Sequence, residues 1–175
     1  MSDFAQELTL QIPRLRRYAR ALTHNVAWAD DLVQDTLERA LRRRWLFQMN
    51  SNLTAWLMTM LYRLYLNDAS RIHFSPSDAD LERIEQIETT GSGDMVLQLD
   101  MQRALVSLSV EHRAVMVLIG LEQLSYKEAS DVLGVPVGTI MSRLARARDQ
   151  LRMLLSDAPT STAHSAIAPH LTRIK

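Results

Sequence analysis

Apolar residues recur along this chain three and four positions apart, and no stretch alternates apolar and polar in the manner of a half-buried strand. Leu15, Tyr18, Ala19 and Leu22 share one side of a segment whose other side carries Arg14, Arg16, Arg17 and Arg20. Pro13 precedes that stripe; proline suits a first turn but not a helix interior, so the pattern predicts an interruption or restart there. Over about 26–44 a wider stripe of Ala29, Leu32, Val33, Thr36, Leu37, Ala40 and Leu41 predicts a second helix. A loop over 46–54 then leads to a third, with Trp56, Leu57, Met60, Leu61 and Leu64 inward. Farther on, Leu97, Met101, Ala104, Leu105 and Leu108 predict a helix, and Ser109 is placed to cap a strongly apolar successor. The expected fold is all-α.

Residues 124–155 are the most informative. Ser125 followed by Glu128 forms a capping box that starts a short helix. Gly134 supplies a turn, where the absence of Cβ makes a left-handed backbone cheap. After Pro136 a second helix runs with Ile140, Leu144, Ala147, Leu151 and Leu154 on one stripe. That leaves Thr139, Ser142, Arg143 and Arg146 facing outward from its first half, where a recognition helix meets base edges and phosphates in a major groove. The pattern predicts a DNA-binding helix-turn-helix; the plainer alternative is a helical hairpin with a solvated arginine face.

Charge supports the first reading once its distribution is considered. Twenty acids balance twenty bases over 175 residues. Yet residues 75–100 hold seven acids and one base, a net −6, whereas 136–153 hold four arginines and one acid, a net +3. Further basic clusters lie at Arg14 to Arg20 and at Arg39, Arg42, Arg43 and Arg44. The arginines at 42–44 also fit a plain solvated helix end. The acidic stretch contains Pro76, Gly91 and Gly93 and little that could fill a core, so 72–94 reads as a flexible linker. It divides a helical domain over 1–71 from a second over 95–155, and a polar tail follows over 156–175. A hydrophobic content of 47% suffices for real cores, and no apolar run approaches a membrane span. The acidic, polar N-terminus lacks the form of a secretory signal, so a cytoplasmic protein without membrane insertion is expected.

Three motifs, in order, carry a family resemblance: ADDLVQDTLERAL over 29–41, AWLMTMLYR over 55–63, and, beyond the acidic linker, LSYKEASDVLGVPVGTIMSRLARARDQL. The chain resembles a bacterial RNA polymerase sigma factor of the small extracytoplasmic-function group over about residues 5–155. Its opening, FAQELTLQIPRLRRYARALT, is similar to the alphaproteobacterial general-stress type. The resemblance implies a region 2-like and a region 4-like domain. It implies core polymerase as partner, through the β′ clamp helices and the β flap, together with promoter DNA and an anti-sigma factor. The helix bearing Asp31, Leu32, Gln34, Asp35 and Glu38 would dock on the clamp. Asn50, Ser51 and Asn52 in the loop, with Trp56, Tyr62, Arg63 and Asn67, would open and read the −10 element. Thr139, Ser142, Arg143 and Arg146 would read the −35 element. Trp56 also fits a plain core residue. Two departures stand out: Tyr62-Arg63 replaces the usual Arg-Asn, and Ser130 replaces alanine at the helix crossing, where its hydroxyl can bond back to the preceding turn.

Other chemistry is thin. With no cysteine there are no disulfides or thiolate metal sites, and the five histidines show no metal-ligand spacing with carboxylates. No glycine-rich phosphate loop or nucleophile constellation occurs. No cofactor, metal, small-molecule substrate or enzymatic activity is expected. Two alternatives stay open beside the promoter-specificity subunit. One is a sigma-like decoy that sequesters an anti-sigma factor, although such mimics resemble sigma domains fused to a receiver domain that this chain is too short to include. The other is a stand-alone helix-turn-helix regulator, which would not need the two N-terminal motifs.

Overall fold

The computed structural model of the protein describes residues 2–48, 51–71 and 104–156. Asn50, the acidic linker and residues 157–175 lie outside the described residues, as does the helix expected through Leu97 and Met101 before Ala104. Among the described residues the helices α1 (Ser2–Thr23), α2 (Val26–Arg42), α3 (Leu53–Arg71), α4 (Val110–Met116), α5 (Tyr126–Leu133) and α6 (Val137–Ser156) follow in order. A 3-10 turn, Arg44–Leu46, follows α2, and a π turn, Val117–Leu121, extends α4. Among the described residues there is no strand.

Three local expectations need correction. α1 runs unbroken through Pro13. A proline in a helix interior costs about 3 kcal/mol, but Leu8 on one side and Leu15, Tyr18, Ala19 and Leu22 on the other are all buried. At roughly 1.5–3 kcal/mol for each large apolar side chain, packing on both flanks outweighs one lost bond. α2 starts with the Asn25 side chain accepting the Trp28 N–H at 2.9 Å and ends at Arg42, so Leu41 is half-exposed rather than inward. Ser130 bonds forward rather than back: its Oγ donates to the carbonyl of Val135 at 2.6 Å, tying the end of α5 to the turn beyond it.

The helix-turn-helix signals translate directly. Ser125 Oγ accepts the Glu128 N–H at 3.2 Å, and the Glu128 carboxylate accepts the Ser125 N–H at 2.8 Å. Gly134 closes α5 in the left-handed region, with φ 66°. Ile140, Leu144, Ala147 and Leu151 are buried along α6, whereas Leu154 is partly out in solvent near the helix end. Ser109 Oγ caps α4 by accepting the His112 N–H at 3.3 Å.

The two helical groups do not stand apart. Leu15, Tyr18, Leu57 and Leu61 belong to the same apolar core as Val115, Leu118 and Ile140. A smaller cluster of Ala104, Leu108, Ala147 and Leu151 anchors the second half of α6. α1 packs directly on α4 and the π turn, and α3 packs on α5. Each group alone is small enough to be marginal, and sharing one core gives each of them more apolar surface to bury.

Candidate nucleic-acid and polymerase interface

The seam between the groups centres on Glu122. The π turn brings it there. Its N–H donates five residues back to Val117 at 2.9 Å, and Gln123 then takes a left-handed φ of 57°. Glu122 ends up 1% exposed. Arg14 donates from Nε to its carboxylate at 2.6 Å and from Nη2 to its main-chain carbonyl at 2.8 Å. Arg17 Nε donates to the other carboxylate oxygen at 2.7 Å. Arg14 Nη1 also reaches Thr54 Oγ1 at 3.0 Å, which joins α3 to the same network. Arg14 and Arg17, expected as part of a basic surface, thus serve a lock between the groups, whereas Arg16 is exposed beside Asp30.

A second tie lies beside it. Asn52 Nδ2 donates to Glu128 Oε1 at 2.7 Å, so the cap of α5 is bonded to the loop before α3. Both serine contacts and the Asn52 bond hold the Glu128 carboxyl below its usual range. A buried cation lies near the same seam. Arg113 is buried, donates from Nη1 to the carbonyls of Leu105, Val106 and Leu108, and is brought down to about 10 by burial, so it stays cationic at neutral pH. Opposite it, at the α1–α2 corner, burial and then the Arg113 charge drive His24 down to about 4.

Against this frame the expected site residues fall into groups. On α2, Asp31, Gln34, Asp35 and Glu38 are exposed in one acidic face, with Gln34 donating to Glu38 at 3.3 Å. Leu32 is 1% exposed, so its place is the core beneath that face rather than a docking contact; the helical period turns it inward. Ser51, Asn52, Arg63 and Asn67 are exposed. Trp56 is half-buried, its ring 5.2 Å from that of Phe47, between a core role and a surface one. Tyr62 is only 8% exposed and lies beside Tyr65, ring centroids 6.3 Å apart. Burial raises its hydroxyl above the usual range, and the Arg143 guanidinium opposes that shift. In this packing Tyr62 belongs to the seam and does not face a DNA strand.

The Arg143 charge acting on Tyr62 brings the two expected readers near one another. Arg143 on α6 also helps to hold Glu111 below the usual carboxylate range, after the bonds at the α4 cap. Arg143 and Thr139 are half-buried, while Ser142 and Arg146 are exposed, with Ser142 Oγ donating to the Thr139 carbonyl at 3.0 Å. Of the face expected to read duplex DNA, Arg143 lies near the seam and Ser142 and Arg146 stay open to solvent.

Sequence reasoning missed Glu122 and Trp45. Glu122 follows a long apolar run and carries no motif; only its isolation as an acid beside apolar residues pointed to a buried role. Trp45 is 74% exposed, next to three exposed arginines. Among the described residues no group of three or more His, Asp or Glu side chains could hold a metal ion, and no helix is long and apolar enough to cross a membrane.

Residues 8–62 match a family model described as "Sigma2 domain of PhyR", and 98–151 match "Sigma-70, region 4". The chain is 37% identical to the ECF RNA polymerase sigma factor EcfG of Rhodopseudomonas palustris over 150 residues, covering 85% of this chain and 83% of that protein. It belongs to the ECF sigma factor family. Among solved structures, the sigma factor RpoE in complex with the anti-sigma factor NepR from Bartonella quintana is 36% identical, with a TM-score of 0.74 over 90% of this chain and 99% of that one. CnrH in complex with the cytosolic domain of CnrY is 26% identical, with a TM-score of 0.62 over 87% of each chain. This sigma factor is thus a two-part helical protein of the alphaproteobacterial general-stress type.

Proposed function

We propose that this sigma factor directs core RNA polymerase to stress-responsive promoters and is held closed by an anti-sigma factor until it is released. The observation that carries the reading is the division of its surfaces. The acidic face of α2 is open to solvent, while Asn52, Tyr62 and Arg143 meet at the seam. A polymerase clamp can dock on Asp31, Gln34, Asp35 and Glu38 without disturbing the core. Promoter reading needs the seam to open, which frees Asn52 and the loop before α3 for the −10 strand. It also frees Arg143, which completes with Thr139 and the already exposed Ser142 and Arg146 a face for the −35 duplex. In this reading residues 1–71 and 95–155 are the two working units, and the acidic 72–94 stretch spans them when they part. Two weak readers held at a fixed distance by cytoplasmic polymerase then act as one through effective concentration. The factor works by binding and positioning, with no chemistry of its own.

The structural neighbours bound to NepR and to the CnrY cytosolic domain support an anti-sigma partner of the same class here. Decoy function draws only on the name of the first family model; PhyR is described as an anti-anti-sigma factor. The arginine-bearing recognition helix and the EcfG relationship favour a promoter factor. The test mixes the protein with core polymerase and a promoter pool and sequences the transcripts. Start sites sharing two spaced elements are expected. Stable polymerase binding without initiation would overturn the promoter reading in favour of a decoy.

A further inference from the structure

We infer that the π turn Val117–Leu121 is a register switch. With Arg14 and Arg17 in place it turns Glu122 inward; when the seam opens it rewinds by one residue, burying Leu121 and releasing Glu122 to water. The switch rests on the opening of the seam proposed above, and on nothing about which promoter is then read.

Helical periodicity alone would put Leu121 inside. Ala114, Val117, Leu118 and Leu121 follow at i, i+3, i+4 and i+7, the spacing of one apolar stripe. The first three are at most 2% exposed. Leu121 breaks the series at 52%, and Glu122 beside it is 1% exposed. One extra residue in the turn causes the exchange. In an α-helix the residue stacked over Val117 is four positions on, Leu121. Here the N–H that donates to the Val117 carbonyl, at 2.9 Å, comes from five positions on, Glu122. The carboxylate therefore stands where the leucine would.

Taken by itself the exchange runs against solvation, since it leaves a leucine half in water and takes a carboxylate out of it. Two guanidiniums reverse the balance. Arg14 and Arg17 donate from Nε at 2.6 and 2.7 Å, each to one carboxylate oxygen. Both come from α1, in the other group, so the attraction that holds the π register is lost when the groups part. The chain beyond the turn is bent to take up the extra residue. The Leu124 N–H reaches back to the Leu118 carbonyl at 3.0 Å, and Gln123 sits at φ 57°, a left-handed conformation that non-glycine residues adopt only at a cost. Gly120, in mid-turn, faces open space: a Cβ there would meet no atom within 4 Å, so no neighbour at that position blocks rewinding.

The second group is small, and a carboxylate stranded in its core would destabilise it as soon as the arginines withdrew. Rewinding puts a leucine over Val117 instead. Opening and resealing of this core thus become one step.

Thiol labelling of Leu121→Cys in the full free chain, which has no other cysteine, tests the rewinding. In the otherwise native chain the thiol, at a half-exposed position, should react readily. Combined with Arg14→Ala/Arg17→Ala it should react about fivefold more slowly, from the apolar area that turns inward. Rigid separation of the groups predicts the opposite sign, because moving α1 away can only uncover the turn. Met153→Cys, exposed on α6, should label at one rate in both backgrounds. A second variant needs no thiol at the turn. With dyes at Leu10→Cys and Met153→Cys, energy transfer should show Leu121→Asn lowering the open-to-closed ratio of Arg14→Ala/Arg17→Ala about fivefold, since asparagine gains nothing from the inward position. Labelling of position 121 that is faster or unchanged overturns the switch, as does an open-to-closed ratio indifferent to Leu121→Asn. If the arginine variant does not open at all, the lock at Glu122 falls and takes the switch with it.

Discussion

Removing the two arginines around Glu122 should open the molecule far more than removing Glu122 itself. The Glu122 side chain is 0% exposed, whereas those of Arg14 and Arg17 are 37% and 47% exposed. In Arg14→Ala/Arg17→Ala a dry carboxylate is left without its cations. Stranding one partner of a buried pair costs about 3–5 kcal/mol. The protein has a way out short of unfolding, because separating α1 and α3 from the π turn re-wets Glu122. At tenfold per 1.4 kcal/mol, even about 3 kcal/mol moves the closed-to-open ratio by roughly a hundredfold. Glu122→Met removes the charge and fills much the same volume, and the arginines, already partly in water, solvate freely. Its cost should be only about 1 kcal/mol, since solvent screens much of the original attraction, or roughly a fivefold shift. The chain lacks cysteine, so Leu10→Cys and Met153→Cys, both at exposed positions, give clean dye sites on the two groups. Single-molecule energy transfer between them reads the open fraction. If Glu122→Met opens the protein as much as the double alanine variant, or if the double variant stays closed, the lock is misassigned.

Three further outcomes follow from the same geometry. His24, held near 4 in the closed form, should titrate there by NMR, and return toward 6.5 in Arg14→Ala/Arg17→Ala. Opened His24 takes a proton that closed His24 refuses, so the closed form keeps its full stability above about pH 6.5 and loses it as pH falls toward 4. Gly134→Ala meets no atom within 4 Å but must hold a φ of 66°, so its cost is backbone strain alone, about 1 kcal/mol, lowering Tm by roughly 3 °C in calorimetry. About five phosphate contacts on a −35 duplex predict a salt slope of roughly −4 to −5 for the wild type, and Arg143→Ala/Arg146→Ala should flatten it by about two units in anisotropy titrations.

What the sequence disclosed was local and periodic. The capping box at Ser125 and Glu128, the left-handed Gly134 and the buried face of α6 down to Leu151 each follow from a rule that spans a few residues. The family motifs then supplied order and roles. What stayed hidden depends on distant pairs: Glu122 on Arg14 and Arg17, and Asn52 on Glu128. No periodicity marks a partner a hundred residues away. Pro13 misled for a related reason, since its local cost is fixed while the packing that overrides it comes from other helices. Leu32 and Leu41 show the limit of a stripe: one fell inside although a docking role was expected, and the other fell outside although burial was expected.

Asn52 offers the sharpest separation of storage from function, because the two roles pull one substitution in opposite directions. Its Nδ2 donates to Glu128 Oε1 at 2.7 Å, and its Oδ1 lies 3.3 Å from the Ala55 N–H at the start of α3. Asn52→Ala frees Glu128, which keeps its capping bonds, so the lost interdomain tie costs only about 1 kcal/mol for such exposed groups. In the free protein the open fraction should rise about fivefold by the same energy-transfer assay. In transcription the proposed −10 contact is lost as well, and an amide that holds an unstacked base has no substitute nearby. Initiation should therefore fall despite easier opening. The Arg14→Ala/Arg17→Ala background removes the first effect, since the seam is already open, and leaves the second undiluted. There Asn52→Ala should lower initiation by a larger factor than it does in the wild-type background. If it instead raises initiation in the wild-type background and does nothing in the open one, Asn52 is a latch alone and the −10 strand is read elsewhere.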